Sequence, residues 1–149
     1  SIIADTTVSG GGAYMFESLV RISRAAHQES NMKSAISYFE LHTPDLSRAQ
    51  AFYGELFNWK FKDLKIPGQP YFEIQSGGDL PGGMMRLDGR APVGFLPYFA
   101  VADLNASLTK AKSLGATVLK DRTDIPEGSF AIVTDPVGTT LALWQKSDR

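Results

Sequence analysis

The sequence contains an internal repeat. Thr43-Pro44-Asp45-Leu46 opens a segment that runs through Phe52-Tyr53 to Leu56-Phe57, and Val101-Ala102-Asp103-Leu104 opens a second that runs to Leu114-Gly115. Asp45 and Asp103 stand 58 positions apart, and at that offset Leu46 falls on Leu104 and Leu56 on Leu114 without a gap. Each copy reads as a strand, an Asp-capped helix and three further strands. A chain of 149 residues with 43% apolar content can bury a core, yet it is too short for two ordinary domains. The expected architecture is therefore a single α+β domain, in which two βαβββ modules form a cup-shaped mixed sheet around one shared cavity.

Local signals place the elements. In the first module, spanning about 36–88, Ile36 to Leu41 suits a strand, Pro44 disfavours helix at Thr43, and Asp45 is placed to accept the first free helical amides. Leu46, Ala49, Phe52, Tyr53 and Leu56 recur at helical spacing and predict one apolar stripe against the sheet. Strands follow at 59–62, 71–75 and 83–87, separated by Ile66-Pro67-Gly68 and by the stretch from Gly77-Gly78 to Pro81-Gly82. The second module, about 95–146, repeats the order with strands at 96–101, 117–120, 129–134 and 140–145. Gly115 is placed to end its helix, and Asp135-Pro136-Val137-Gly138 to form a type I turn. Matching Pro81-Gly82-Gly83 to Pro136-Val137-Gly138 gives an offset of 55 for the last strands. Residues 1–31 stand outside the 32–149 domain as an extension, with an amphipathic helical pattern over 14–28.

Composition narrows the partners. Fifteen basic and sixteen acidic residues are mixed along the chain for a net charge of -1, which lacks the basic stripe that a phosphate backbone requires, so no nucleic-acid partner is expected. Zero cysteines exclude disulfides, thiolate catalysis and sulfur-ligated zinc. No apolar run approaches the roughly 18 to 20 residues of a membrane span, and the start lacks a signal-peptide pattern. The expectation is a cytoplasmic protein with no membrane partner. Gly10-Gly11-Gly12, Gly77-Gly78 and Gly82-Gly83 lack the strand-to-helix context of a phosphate loop and read as turns. No Gly-x-Ser-x-Gly elbow is present.

The strings Glu40-Leu41-His42-Thr43-Pro44-Asp45, Ala51 to Trp59, Pro97 to Asp103, Leu114-Gly115-Ala116 and Asp135 to Gly138 with Leu141 to Trp144 together resemble the glyoxalase, bleomycin-resistance and extradiol dioxygenase (vicinal oxygen chelate) superfamily. The resemblance covers roughly residues 36–146 and implies paired βαβββ modules and a homodimer. In metal-dependent members a histidine lies about seven positions before the helix-capping aspartate, and a glutamate lies in the last strand of a module. Here those positions hold Tyr38, Leu96 and Ala142, with the module-one last-strand position near Met85 or Leu87. None suits a hard cation. The resemblance is thus to the metal-free branch, which implies binding more than chemistry, with no metal and no cofactor expected.

Strand alternation puts Tyr38, Glu40 and His42 on one side of the first strand, with Leu96, Tyr98 and Ala100 on the same side of the fifth and Thr140, Ala142 and Trp144 joining from the last. Together with Met85 and Phe130, these residues describe a pocket rich in aromatic surface, and the expected ligand set is Tyr38, Glu40, His42, Met85, Tyr98, Phe130 and Trp144. Tyr98, Phe99, Phe130 and Trp144 equally suit a plain core, and His42 a hydrogen bond at the strand end. Glu40 is costly to bury unless paired, with Arg86 as a partner, or reached by water. The leading expectation is a metal-independent protein that sequesters or senses a small apolar or aromatic molecule. The alternatives are an enzyme of the same fold (lyase, isomerase or dioxygenase-like) using Glu40 or an unforeseen metal, and a protein with a vestigial pocket whose appended helix contacts a partner. Catalytic residues are not assignable at this level.

Overall fold

A computed structural model describes residues 33–148; the 1–31 extension with its 14–28 pattern lies outside this range. The elements are β1 (Ile36–Thr43), α1 (Leu46–Phe57), β2 (Lys60–Asp63), β3 (Tyr71–Gln75), β4 (Gly82–Arg86), β5 (Gly94–Ala100), α2 (Leu104–Ser113), β6 (Thr117–Ile125), β7 (Gly128–Thr134) and β8 (Thr140–Lys146). All eight strands form one mixed sheet in the order β2-β3-β4-β1-β5-β8-β7-β6. Each module pairs its first and last strands in parallel, β1 with β4 and β5 with β8. The halves join within the chain where β1 and β5 run antiparallel, Tyr38 opposite Tyr98 and Glu40 opposite Leu96.

The expected caps form. Asp45 accepts the amide of Arg48 and Asp103 that of Ala106, each at 3.0 Å, which satisfies donors that a helix start otherwise leaves open. Gly115 follows α2 at φ +100°, a left-handed conformation that glycine adopts without Cβ strain. Asp135 Oδ1 holds the amides of Val137 and Thr139 at 2.9 Å and fixes the turn into β8.

Both helices cover one face of the sheet. Leu104 and Leu108 of α2 pack on Ala131, Val133 and Leu143, and Leu46 of α1 packs with Leu41, Ile74 and Met84. The α1 stripe is narrower than the helical spacing predicts: Ala49 and Tyr53 reach this layer, but Phe52 and Leu56 are each 58% exposed. Tyr53 already fills the gap between helix and sheet, stacked on Trp59 at 5.5 Å and edge-on to Phe95 at 5.9 Å, and Phe52 lies against the Tyr53 ring instead of the sheet.

Strand register corrects the alignment of the two modules. Glu40 stands opposite Gly83 and Tyr98 opposite Ala142, so Gly83 and Ala142 correspond, 59 positions apart rather than 55. The turns agree at the same spacing: Gly78 donates its amide to Ser76 Oγ just as Val137 does to Asp135 Oδ1. The turn in module one is thus Ser76-Gly77-Gly78, and Pro81-Gly82 belongs to the entry of β4. The modules differ by one residue, not three.

The face without helices carries a second core of Tyr38, Tyr71, Met85, Leu96, Tyr98, Phe130, Ile132, Ala142 and Trp144, rimmed by Ala91 and Ile125, with Leu64 and Ile66 packed against it. Among the described residues, no helix is long and apolar enough to cross a membrane.

Candidate functional site

The centre of this second core is polar. Alternation along β1 sends Tyr38, Glu40 and His42 to the same face, and Glu40 and His42 are both fully buried there. A carboxylate so placed must be compensated by hydrogen bonds. Tyr71 donates its hydroxyl to Glu40 Oε2 at 2.7 Å, Tyr98 donates to Oε1 at 3.2 Å, and His42 Nε2 meets Oε1 at 2.7 Å. The Tyr71 proton is committed to Glu40, so the 2.8 Å contact between the Tyr71 and Tyr38 hydroxyls is a donation from Tyr38. A continuous chain therefore runs from Tyr38 through Tyr71 and Glu40 to His42. Burial pushes all three tyrosine hydroxyls well above their ordinary pKa, and the Glu40 charge raises them further, which keeps them neutral donors.

Both oxygens of Glu40 already receive tyrosine protons, so His42 enters as a donor through Nε2–H. Its Nδ1 is buried without a partner among the described residues. With Nε2–H given to Glu40, the tautomer of the neutral ring presents Nδ1 as an acceptor.

All seven residues expected from the sequence are brought together. Tyr38, Met85, Tyr98, Phe130 and Trp144 belong to the same buried cluster, with Tyr38 edge-on to Tyr98 at 5.8 Å and Tyr98 6.3 Å from Phe130, while Glu40 and His42 join through the hydrogen bonds above. Ala100 and Thr140 are half-buried and lie outside the cluster. Sequence reasoning missed Tyr71. At the true offset of 59 it is the counterpart of Phe130, since Tyr71 pairs with Met85 as Phe130 pairs with Trp144. The proposed Arg86 partner of Glu40 is also corrected: Arg86 is exposed, and the cation that senses Glu40 is Arg90, in the loop after β4. Burial works to lower the Arg90 pKa, but the Glu40 and Asp88 carboxylates outweigh it and the net shift is upward. Asp88 holds its Nε at 2.6 Å.

The superfamily's metal positions fare differently. Register moves the module-one last-strand position from Met85 or Leu87 to Gly83, so the set is Tyr38, Gly83, Leu96 and Ala142. Only Tyr38 has a side-chain oxygen, and that hydroxyl is bonded to Tyr71 and held neutral. A Cβ on Gly83 would collide with the Tyr71 and Tyr38 hydroxyls, so the tyrosine pair fills the space that a liganding side chain would need. This donor set does not fit a divalent cation. Among the described residues, no group of three or more His, Cys, Asp or Glu side chains converges either.

A depression of about 370 Å³ opens near the β6–β7 turn between Arg122, Asp124, Ser129, Gln145 and Lys146. Its polar groups satisfy one another: Arg122 bonds Asp124, Asn105 and Ser129, and Ser129 bonds Asp124.

Comparison with known proteins places these features in a wider group. A family model described as a glyoxalase-like domain matches residues 38–144. CFP32 of Mycobacterium tuberculosis, named as a glyoxylase, is 32% identical over 116 residues, covering 73% of this chain and 44% of that protein. The anthracycline biosynthesis protein DnrV of Streptomyces peucetius is 27% identical over 129 residues, covering 75% of this chain and 47% of that protein. The chain thus spans less than half the length of these curated relatives. Among solved structures, methylmalonyl-CoA epimerase from Mycobacterium tuberculosis aligns with a TM-score of 0.56 at 15% identity, covering 83% of this chain and 95% of that one. A glyoxalase/bleomycin resistance protein/dioxygenase superfamily member from Vibrio splendidus also aligns at 0.56, with 13% identity, covering 76% of this chain and all of the other.

Proposed function

The chain belongs to the glyoxalase-like domain family, and from that premise we propose that it is a metal-independent binding protein for a small apolar or aromatic molecule, held on the helix-free face of the sheet. One observation carries the reading: the family's metal positions are taken up by one tyrosine, a glycine and two apolar side chains, while aromatic rings enclose a single polar pole at Glu40. An apolar lining with a few convergent polar groups is the usual composition of an organic ligand site. The name of DnrV points to the biosynthesis of a small organic molecule and supports the same direction.

Thermal-shift measurements against a panel of aromatic compounds, with and without chelator, test this. A ligand that binds only the folded state raises its melting temperature by mass action. The expected result is stabilisation by an aromatic compound, unchanged by chelator and lost in Trp144→Ala. Stabilisation by a divalent metal in place of an organic compound would refute it.

The buried Glu40–His42 pair at 2.7 Å favours a second reading, a metal-free lyase or isomerase that uses the pair for proton transfer. Product analysis of bound compounds after long incubation separates the two: recovery unchanged supports binding, and a shifted proton or double bond supports catalysis.

A further inference from the structure

Three features meet at the open end of β1. His42 Nδ1 is buried with no partner among the described residues, although its ring is fixed by the bond from Nε2 to Glu40. A buried acceptor of this kind is costly unless something else satisfies it. Directly across the sheet, His42 faces Gly94 of β5, and a Cβ built there would meet nothing within 4 Å. Across the sheet from the imidazole, then, stands a position that carries no side chain and has open space around it. The loop leading into Gly94 carries Arg90, whose side chain is only 11% exposed and whose Nε is held by Asp88, leaving its two terminal nitrogens without a hydrogen bond among the described residues. Arg90 lies near enough to Glu40 for its charge to act on it.

Resting on the binding reading above, we infer that this corner is the polar subsite of the ligand pocket, and that it selects a planar aromatic compound bearing a hydroxyl beside a carboxylate or carbonyl. The hydroxyl donates to His42 Nδ1 and fills its empty acceptor position. The neighbouring oxygen accepts from the Arg90 guanidinium, which presents donors in a fixed planar fork suited to a carboxylate. The aromatic body lies against Tyr98, Phe130 and Trp144. The alternative polar groups are spoken for: Glu40 accepts from three donors, and the Tyr38 and Tyr71 protons are committed along their chain. A ligand of opposite polarity, offering only acceptors, would leave Nδ1 bare. Glu40 is in this scheme a positioning residue, which holds the imidazole in the tautomer that accepts.

The test is calorimetric titration of the full 149-residue chain with a matched set: 1-hydroxy-2-naphthoate, its 1-methoxy analogue, 2-naphthoate and 1-naphthol. The hydroxy acid should bind at least about tenfold more tightly than each of the others, because each analogue leaves one buried partner unmet. His42→Phe should remove the advantage over the methoxy compound, and Arg90→Met the advantage over 1-naphthol. The methoxy comparison needs no variant, so the inference is exposed even where His42→Phe fails to fold. Equal affinity for the hydroxy and methoxy acids in the unaltered protein would overturn the assignment of Nδ1 while leaving the aromatic site standing. Absence of binding by all four, with stabilisation by a divalent metal, would overturn the binding reading and this inference with it.

Discussion

Replacing Tyr71 by phenylalanine removes one oxygen atom and keeps the ring. That oxygen donates to Glu40 Oε2 at 2.7 Å and accepts from Tyr38 at 2.8 Å. A hydrogen bond to a charged acceptor contributes about 1.5–3 kcal/mol and one between neutral groups about 0.5–1.5, so the expected loss is about 2–4 kcal/mol. At about 4 °C per kcal/mol for a domain of this size, the melting temperature should fall by about 8–16 °C. Urea denaturation of the protein, of Tyr71→Phe, of Glu40→Gln and of the double variant forms a cycle that isolates the bond from the packing. The two substitutions touch one network, and they should be non-additive by about 1 kcal/mol or more. A loss under about 0.5 kcal/mol, or additive single effects, would show that Glu40 does not depend on Tyr71 and would refute the account of how this carboxylate is buried.

Two further outcomes follow from the same structure. Tyr38, Tyr71 and Tyr98 have pKa values raised by burial and by Glu40, so their contribution to stability is complete below the unfolded tyrosine value and declines as pH climbs above it toward the folded values. Phenolate absorbance of these three should appear only together with loss of the folded circular dichroism signal, and their stepwise ionisation in folded protein would contradict the network. At the helix start, Asp103→Ala removes the acceptor of the Ala106 amide and should cost about 1 kcal/mol in urea denaturation; a change below about 0.3 kcal/mol would mean that solvent caps α2 equally well.

The sequence made much of the fold legible because its strongest signals are local. Asp45 and Asp103 mark helix starts through chemistry confined to one turn, and the strand at 71–75 is marked by its own residues and by flanking turns. The helix-free face was equally accessible, since alternation along β1 needs no knowledge of the partner strands. Tyr71 escaped because finding it requires the register between β3 and β4, and register depends on where a loop ends. Pro81-Gly82-Gly83 imitates the turn signal of Pro136-Val137-Gly138, while the true counterpart, Ser76-Gly77-Gly78, uses a serine hydroxyl where module two uses Asp135. Arg90 escaped for a related reason: a loop side chain reaches the site through three-dimensional folding that no periodicity announces. Phe52 and Leu56 show the converse error, in which helical spacing is real but the adjacent Tyr53, Trp59 and Phe95 rings leave no sheet surface for the stripe to cover.

Once the register is set, the repeat has an asymmetry on the helix-free face. Glu40 corresponds to Tyr98, His42 to Ala100, Tyr71 to Phe130 and Met85 to Trp144, so module one supplies the charged and imidazole groups and module two an apolar wall broken by one hydroxyl. This side of the sheet is thus amphipathic across the β1–β5 seam, and under the proposed binding reading it would orient a ligand with one polar edge. The asymmetry is enforced sterically at one pair of positions. Gly83 has no Cβ, and the Tyr71 hydroxyl occupies the resulting space; Ala142 stands at the matching place, and if the two halves share geometry its methyl fills the space that a hydroxyl on Phe130 would need. Phe130→Tyr should therefore destabilise by about 1–3 kcal/mol through overcrowding. Ala142→Gly added to it should recover part of that loss, although the same glycine alone is destabilising in a strand. Recovery in the double variant, measured against both single ones, is the sign opposite to additivity. Its absence would mean that the two halves of the site do not share the geometry their register implies.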